Sequence, residues 1–190
     1  MDNKLKTINF LGKNMQKRFT MHNLSKLLAI PYASFYRTVE EMKDLLVIEQ
    51  VGRAKAVSLN LNGQTLKSHL AIASEDEKKE YLEKEPVIRK IANELETDDI
   101  VVLFGSYADR TYTARSDIDI LVINKEGNKS VSFSKYELLF KKKINPVFVT
   151  KKEFQLMLGQ EDENLGKQAV QKHIILNNPE RFWECVLYAV

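Results

Sequence analysis

Two carboxylates separated by one residue, Asp117 and Asp119, follow a Gly105-Ser106 turn after a spacer of ten residues. The run Ile118-Asp119-Ile120-Leu121-Val122-Ile123 has β character, and side chains one residue apart on a strand point to opposite faces. Ile118 and Ile120 then enter a core while Asp117 and Asp119 share the other face. Two like charges held that close are costly without a cation between them, so the pattern asks for a metal. Mg²⁺ suits it, because that ion takes one or two protein carboxylates and completes its shell with phosphate oxygens and water. Gly105 and Ser106 lie between an apolar strand, Ile100 to Phe104, and an expected short helix, where backbone N–H groups can meet phosphate. Taken alone, an Asp-x-Asp pair is also met on a solvated strand edge.

Phe104-Gly105-Ser106 followed by Asp117-Ile118-Asp119-Ile120 resembles the signature of the nucleotidyltransferase superfamily, the DNA polymerase β-like fold. Arg110 and Ser116 also fall where many small members carry Arg and Ser, whereas Thr111 stands where those members usually have Gly. The resemblance implies nucleotide contacts at Gly105, Ser106, Arg110 and Ser116, and Mg²⁺ with a nucleoside triphosphate at Asp117 and Asp119. It implies in-line attack on the α-phosphorus, in which charge stabilisation and alignment supply most of the catalysis. Active members also carry a third carboxylate on the following strand, which completes a second metal site and acts as base or positions the attacking oxygen. Here that strand is Ile144 to Val149, the aligned residue is Asn145, and residues 141–152 contain no Asp or Glu. Asn145 can offer a carbonyl oxygen to a metal but cannot accept a proton at neutral pH. The nucleotide half of the site is expected intact and the base half incomplete. Arg115 is a further phosphate or domain contact to consider, and an exposed arginine on a turn is an equal reading.

The elements that carry these residues begin with an amphipathic helix, Val87 to Glu96, and continue through a helix over Ser134 to Lys143. Ahead of them lies a segment of different character. Residues 1–73 carry 11 Lys and Arg against 5 Asp and Glu, a net of +6, while the remainder is net −3. Such asymmetry suggests that the N-terminal part meets a polyanion. Helices are expected at Thr7 to Met15, after a Thr20 cap, and from Tyr32 to Leu46 behind Pro31. A hairpin follows, Val47 to Val51 and Ala56 to Leu61, with the basic tip Gly52-Arg53-Ala54-Lys55. Three helices and a basic hairpin resemble a winged helix-turn-helix, with Ser34-Phe35-Tyr36-Arg37 opening its recognition helix. The resemblance implies Ser34, Tyr36 and Arg37 in a major groove and Arg53 and Lys55 on phosphates of double-stranded DNA. A winged module used only for protein contacts is the competing reading.

The charged run Glu75 to Glu85 reads as a solvated helix face or a hinge, and Lys151 to Val190 reads as helices, with His173 on one of them. The aromatic ending, Phe182, Trp183 and Tyr188 beside Cys185, is core or interface, and offers a homodimer contact. One cysteine excludes an internal disulfide and fits a reducing cytoplasm. The polar N-terminus is unlike a signal peptide, and no apolar run reaches membrane-spanning length.

The expected architecture is α+β: a winged helix-turn-helix over 1–73, a nucleotidyltransferase-type mixed sheet with helices over 74–150, and a helical extension over 151–190. The function expected first is a DNA-binding transcriptional regulator or antitoxin-like protein, with a Mg²⁺–nucleotide site and an additional partner protein in view. The alternative is an active enzyme moving a nucleoside monophosphate onto a protein, RNA or small-molecule hydroxyl. A third is a scaffold binding neither metal nor nucleotide.

Overall fold

The protein, described by a computed structural model over residues 1–189, divides into two compact units, Met1–Asp76 and Glu77–Val190. Its class is α+β. The first unit opens with α1 (Asn3–Lys13), whose Asp2 cap accepts a hydrogen bond from Leu5 N–H. A two-residue strand β1 (Phe19–Thr20) leads into α2 (Met21–Leu27), with Thr20 accepting from Asn23 N–H. Ala29 takes a left-handed conformation (φ 53°) and Ile30 N–H returns to Ser25 C=O, ending that helix before Pro31 opens α3 (Tyr32–Glu40). The third helix is shorter than its apolar spacing predicts. Met42 and Leu46 still reach the core, from a run of turns and the start of a strand.

Strands β2 (Leu46–Val51) and β3 (Ala54–Leu59) form the hairpin, and β1 pairs with β3 to give a sheet of order β1-β3-β2. Its turn is two residues, Gly52-Arg53, because Val51 pairs with Ala54 and Gly52 supplies the positive φ of 59°. Lys55 is therefore a strand residue opposite Gln50, and only Arg53 sits at the tip. The core joins Ile8 and Leu11 of α1, Met21 and Leu24 of α2, Phe35 and Val39 of α3, and Val57 and Leu59 of β3. Leu27 of α2 is exposed. The charged run is helical through Lys84, the end of α4 (Leu66–Lys84), and it includes buried Tyr81.

The second unit carries α5 (Pro86–Asn93), β4 (Ile100–Phe104), the four-residue α6 (Gly105–Ala108), β5 (Ile118–Asn124) and α7 (Ser134–Phe140). Then come β6 (Ile144–Thr150), α8 (Lys151–Gly159), α9 (Leu165–Gln171), β7 (His173–Asn177) and α10 (Pro179–Ala189). The sheet has the order β6-β5-β4-β7, with β5 parallel to β6 and the other neighbours antiparallel. One face packs Val101, Leu103, Ile118, Ile120, Val122, Ile144, Ile174 and Leu176 against Tyr81, Ile88, Ile91 and Tyr136. Helices α8, α9 and α10 meet the strands as well, bringing buried Phe154, Phe182 and Trp183.

Strand β7 corrects the expectation of helices throughout Lys151 to Val190. Ile174-Ile175-Leu176 is a short apolar run buried on both faces, and such a run has no helical or strand period of its own. The vacant edge of β4 decides it. His173 accordingly lies on a strand, with Nδ1–H donating to Val170 C=O at 2.8 Å and its ring beside Phe182 and Trp183. Trp183 and Cys185 are core, whereas Tyr188 is 82% exposed.

Candidate functional site

The strand registers set four side-chain positions in one row across the sheet: Asn145, Asp119, Phe104 and His173. Asp117 lies one step before β5, on the Asp119 side by the period of two. The parallel pairing of β5 with β6 sets Asn145 directly beside Asp119. Its side-chain Nδ2 donates to Asp117 Oδ2 at 3.1 Å and to Asp119 Oδ1 at 3.3 Å. Asn145, at the position where the resemblance implies a third carboxylate, thus bridges the first two as a donor.

Lys143 joins this group, with Nζ 3.1 Å from Asp117 Oδ2. The Lys143 and Asn145 hydrogen bonds, with the Lys143 and Lys142 charges, hold the Asp117 carboxyl below its ordinary range. Sequence reasoning missed Lys143. Its signal was present, since Lys143 and Asn145 are two residues apart at the start of a strand, as Asp117 and Asp119 are. Its reach depends on α7 ending at Phe140, three residues sooner than its pattern suggests, where Lys141 turns left-handed (φ 50°).

Gly105 is required by two independent facts. Its φ is +69°, and a Cβ added there would lie 2.9 Å from Asp119 Oδ2. The turn therefore brings backbone against the carboxylate, as close as a residue without a side chain allows. Ser106 is half-buried on α6, next to it. Ser116 faces its own loop: Thr113 N–H donates to Ser116 Oγ at 2.9 Å.

Arg110 contacts Tyr81 of α4 and Glu85 just beyond it. It is left-handed (φ 58°), its guanidinium lies 4.9 Å over the Tyr81 ring, and its Nε is 3.9 Å from Glu85 Oε1. Glu85 is a buried acid, and Tyr112 O–H donates to its Oε2 at 2.9 Å. Tyr112 also stacks on Tyr107 at 4.1 Å, and Tyr81 O–H donates to Tyr107 C=O at 2.7 Å. Burial, then the neighbouring Glu85 charge, pushes the Tyr81 phenol well above its ordinary range. These aromatic and charged contacts anchor the loop between the Gly-Ser turn and the aspartates. Composition gave no hint of them, because Tyr81 and Glu85 lie in and just after a helix that reads as solvated.

The other carboxylates near in sequence are engaged. Glu137 Oε1 accepts from Ile144 N–H at 3.0 Å, and Glu153 closes a capping box with Thr150 at the start of α8. Among the described residues no group of three or more His, Cys, Asp or Glu converges as a metal-holding set. Asp117 and Asp119 offer the hard carboxylate oxygens that a Mg²⁺ ion takes, and the Asn145 amide presents Nδ2 to them.

In the first unit, Tyr36, Arg37, Arg53 and Lys55 are exposed and Ser34 is half-exposed. Lys55 Nζ sits 5.3 Å from the Tyr36 ring centre, so α3 and β3 bring those two together. Arg37 Nε donates to Ala33 C=O of its own helix, 3.4 Å away. Glu40, whose carboxyl is held low chiefly by a hydrogen bond from Lys43, limits the positive surface toward the end of α3. No helix among the described residues is long and apolar enough to cross a membrane.

No curated protein and no solved structure matches the chain. Residues 86–181, half of the sequence and the whole span from α5 through β7, match the family model described as Polymerase beta, Nucleotidyltransferase, and the chain therefore belongs to that nucleotidyltransferase family.

Proposed function

We propose that this protein is a DNA-binding regulator, antitoxin-like in type, whose second unit binds one Mg²⁺ with a nucleoside triphosphate at Asp117 and Asp119. The observation that carries the reading is Asn145, whose amide bridges the two aspartates at the position where a transferase needs an acid. A bound divalent ion would supply charge neutralisation for the triphosphate. Asp117 and Asp119 hold it, and Gly105 keeps the wall of the site thin. Ser106 and Ser116 are the motif hydroxyls assigned to phosphate oxygens, and the Tyr112–Glu85 bond steadies the loop carrying Ser116. Neutral Asn145 holds no proton-accepting oxygen at neutral pH, so activation of an attacking hydroxyl is the missing step.

The first unit supports the DNA role by its elements and charge. Three helices, a three-stranded sheet and a basic hairpin are the parts of a winged helix-turn-helix, and its exposed Tyr36, Arg37, Arg53 and Lys55 suit a duplex. A cytoplasmic site of action fits both halves. The second reading, a working transferase onto a protein, RNA or small-molecule hydroxyl, draws on the family membership itself.

Melting curves with Mg²⁺ and each of ATP, GTP, CTP and UTP test the nucleotide site. A rise with at least one of them, absent in Asp117→Ala/Asp119→Ala, is expected, and no rise with any nucleotide overturns the reading. Label passing from an α-labelled triphosphate to any acceptor in a cell extract would favour the transferase instead. Duplex DNA binding is expected to weaken with salt and in Arg37→Ala.

A further inference from the structure

Lys143 is not a lysine that merely happens to lie near an acid. Its backbone carbonyl accepts from Ile118 N–H at 2.9 Å, which ties it to the residue between the two aspartates. The adjacent Lys142 Nζ reaches Ala114 C=O, and Ile144 N–H is held by Glu137, so the chain is fixed on both sides of it. From that anchored position the ammonium meets Asp117 Oδ2, the same oxygen that accepts from Asn145. A lysine and an amide donor thus converge on two carboxylates that would otherwise repel each other.

We propose that Lys143 is a resident cation of this site, which with the Asn145 amide fills the role of a second metal ion, so that the chain takes a single divalent ion with its nucleotide. The inference rests on the reading of Asp117 and Asp119 as a metal–nucleotide site. The pair is open to solvent, with Lys143 66% exposed, so the ammonium is a weak competitor that a divalent ion displaces from Asp117. Lys143 then remains beside the site as a fixed positive charge for phosphate oxygens. Removing it leaves Asp117 with less competition and tightens the ion. Adding an acid at position 145 supplies what a second ion lacks.

The test is a Mn²⁺ titration of the full chain followed by the spin-resonance signal of free Mn²⁺, with Asp117→Ala/Asp119→Ala as background. Wild type is expected to bind one ion above that background. Lys143→Met should bind it about threefold more tightly, Lys143→Arg as wild type does, and Asn145→Asp should bind two. Two ions on the wild-type chain, or an affinity unchanged in Lys143→Met, overturns the resident-cation proposal while leaving the metal site standing. Binding no greater than background in wild type and all three variants overturns the metal reading itself. Should Asn145→Asp fail to fold, the Lys143→Met and Lys143→Arg pair decides alone.

Discussion

Strand β4 buries all five of its residues, whereas β2 in the other unit buries one of six. Both are antiparallel partners in small sheets, yet they are put to different uses. Between β5 and β7, with helices against the sheet, β4 has no solvated face, so its turn at Gly105 is held against Asp119 within a contact distance. Strand β2 is an edge with solvent on one face, and its hairpin offers Arg53 to whatever approaches. A site that must hold two carboxylates at fixed spacing sits on the buried sheet. The hairpin surface, proposed above to meet duplex DNA by charge, needs only exposure.

The sharpest way to break this comparison is to delete a side chain in each sheet. Leu103→Ala, at a fully buried position, should cost about 2–5 kcal/mol by denaturant unfolding, while Val51→Ala, 55% exposed, should change stability by less than about 0.5 kcal/mol. Comparable losses would mean that the hairpin is no mere surface feature. Gly105→Ala comes next. Left-handed backbone and the 2.9 Å approach to Asp119 together should lower stability by about 1–3 kcal/mol and abolish any nucleotide-dependent rise in melting temperature. Gly52→Ala has the same sign of φ with open space around its Cβ, so it should cost about 1 kcal/mol, and the difference between the two measures the crowding at the carboxylate.

Tyr112→Phe removes the hydroxyl that donates to buried Glu85. A loss of about 1–2 kcal/mol is expected in thermal or urea melts, together with weaker nucleotide response from a looser loop. In the first unit, Arg53→Ala/Lys55→Ala should leave melting nearly unchanged yet reduce the slope of log affinity against log salt for duplex DNA by about 2. The smallest effect belongs to the cap of α8. Its backbone and side-chain hydrogen bonds from Thr150 hold the Glu153 carboxyl below its ordinary range, so that contribution is present above the usual carboxylate range and fades as pH falls through the depressed value. Acid melts of Glu153→Gln should show less of this pH dependence than wild type.

Much of the frame could be read from residue types. The alternation around Asp117 and Asp119, the apolar run at Ile100 and the Gly-Ser turn have local causes, and the observed β4, α6 and β5 follow them. Thr150 announces its helix by the same local logic, because a cap acts within one turn. Strand β7 was not readable, since Ile174-Ile175-Leu176 suits helix or strand until β4 offers it an edge. Strand β1 is two residues long, too short for any period. The contacts of Arg110 with Tyr81 and Glu85, from a separate helix and its end, were not readable either.

The sequence by itself determined that two acids share a strand face behind a glycine turn, a consequence of spacing and chemical type. That Asn145 stands where a third acid is expected follows from the family resemblance. Only the tertiary structure decided what Asn145 and Lys143 do there, because parallel pairing of β5 with β6 brings residues 26 to 28 positions apart into hydrogen-bond reach. Period and propensity act along the chain, whereas charge compensation at Asp117 acts across it.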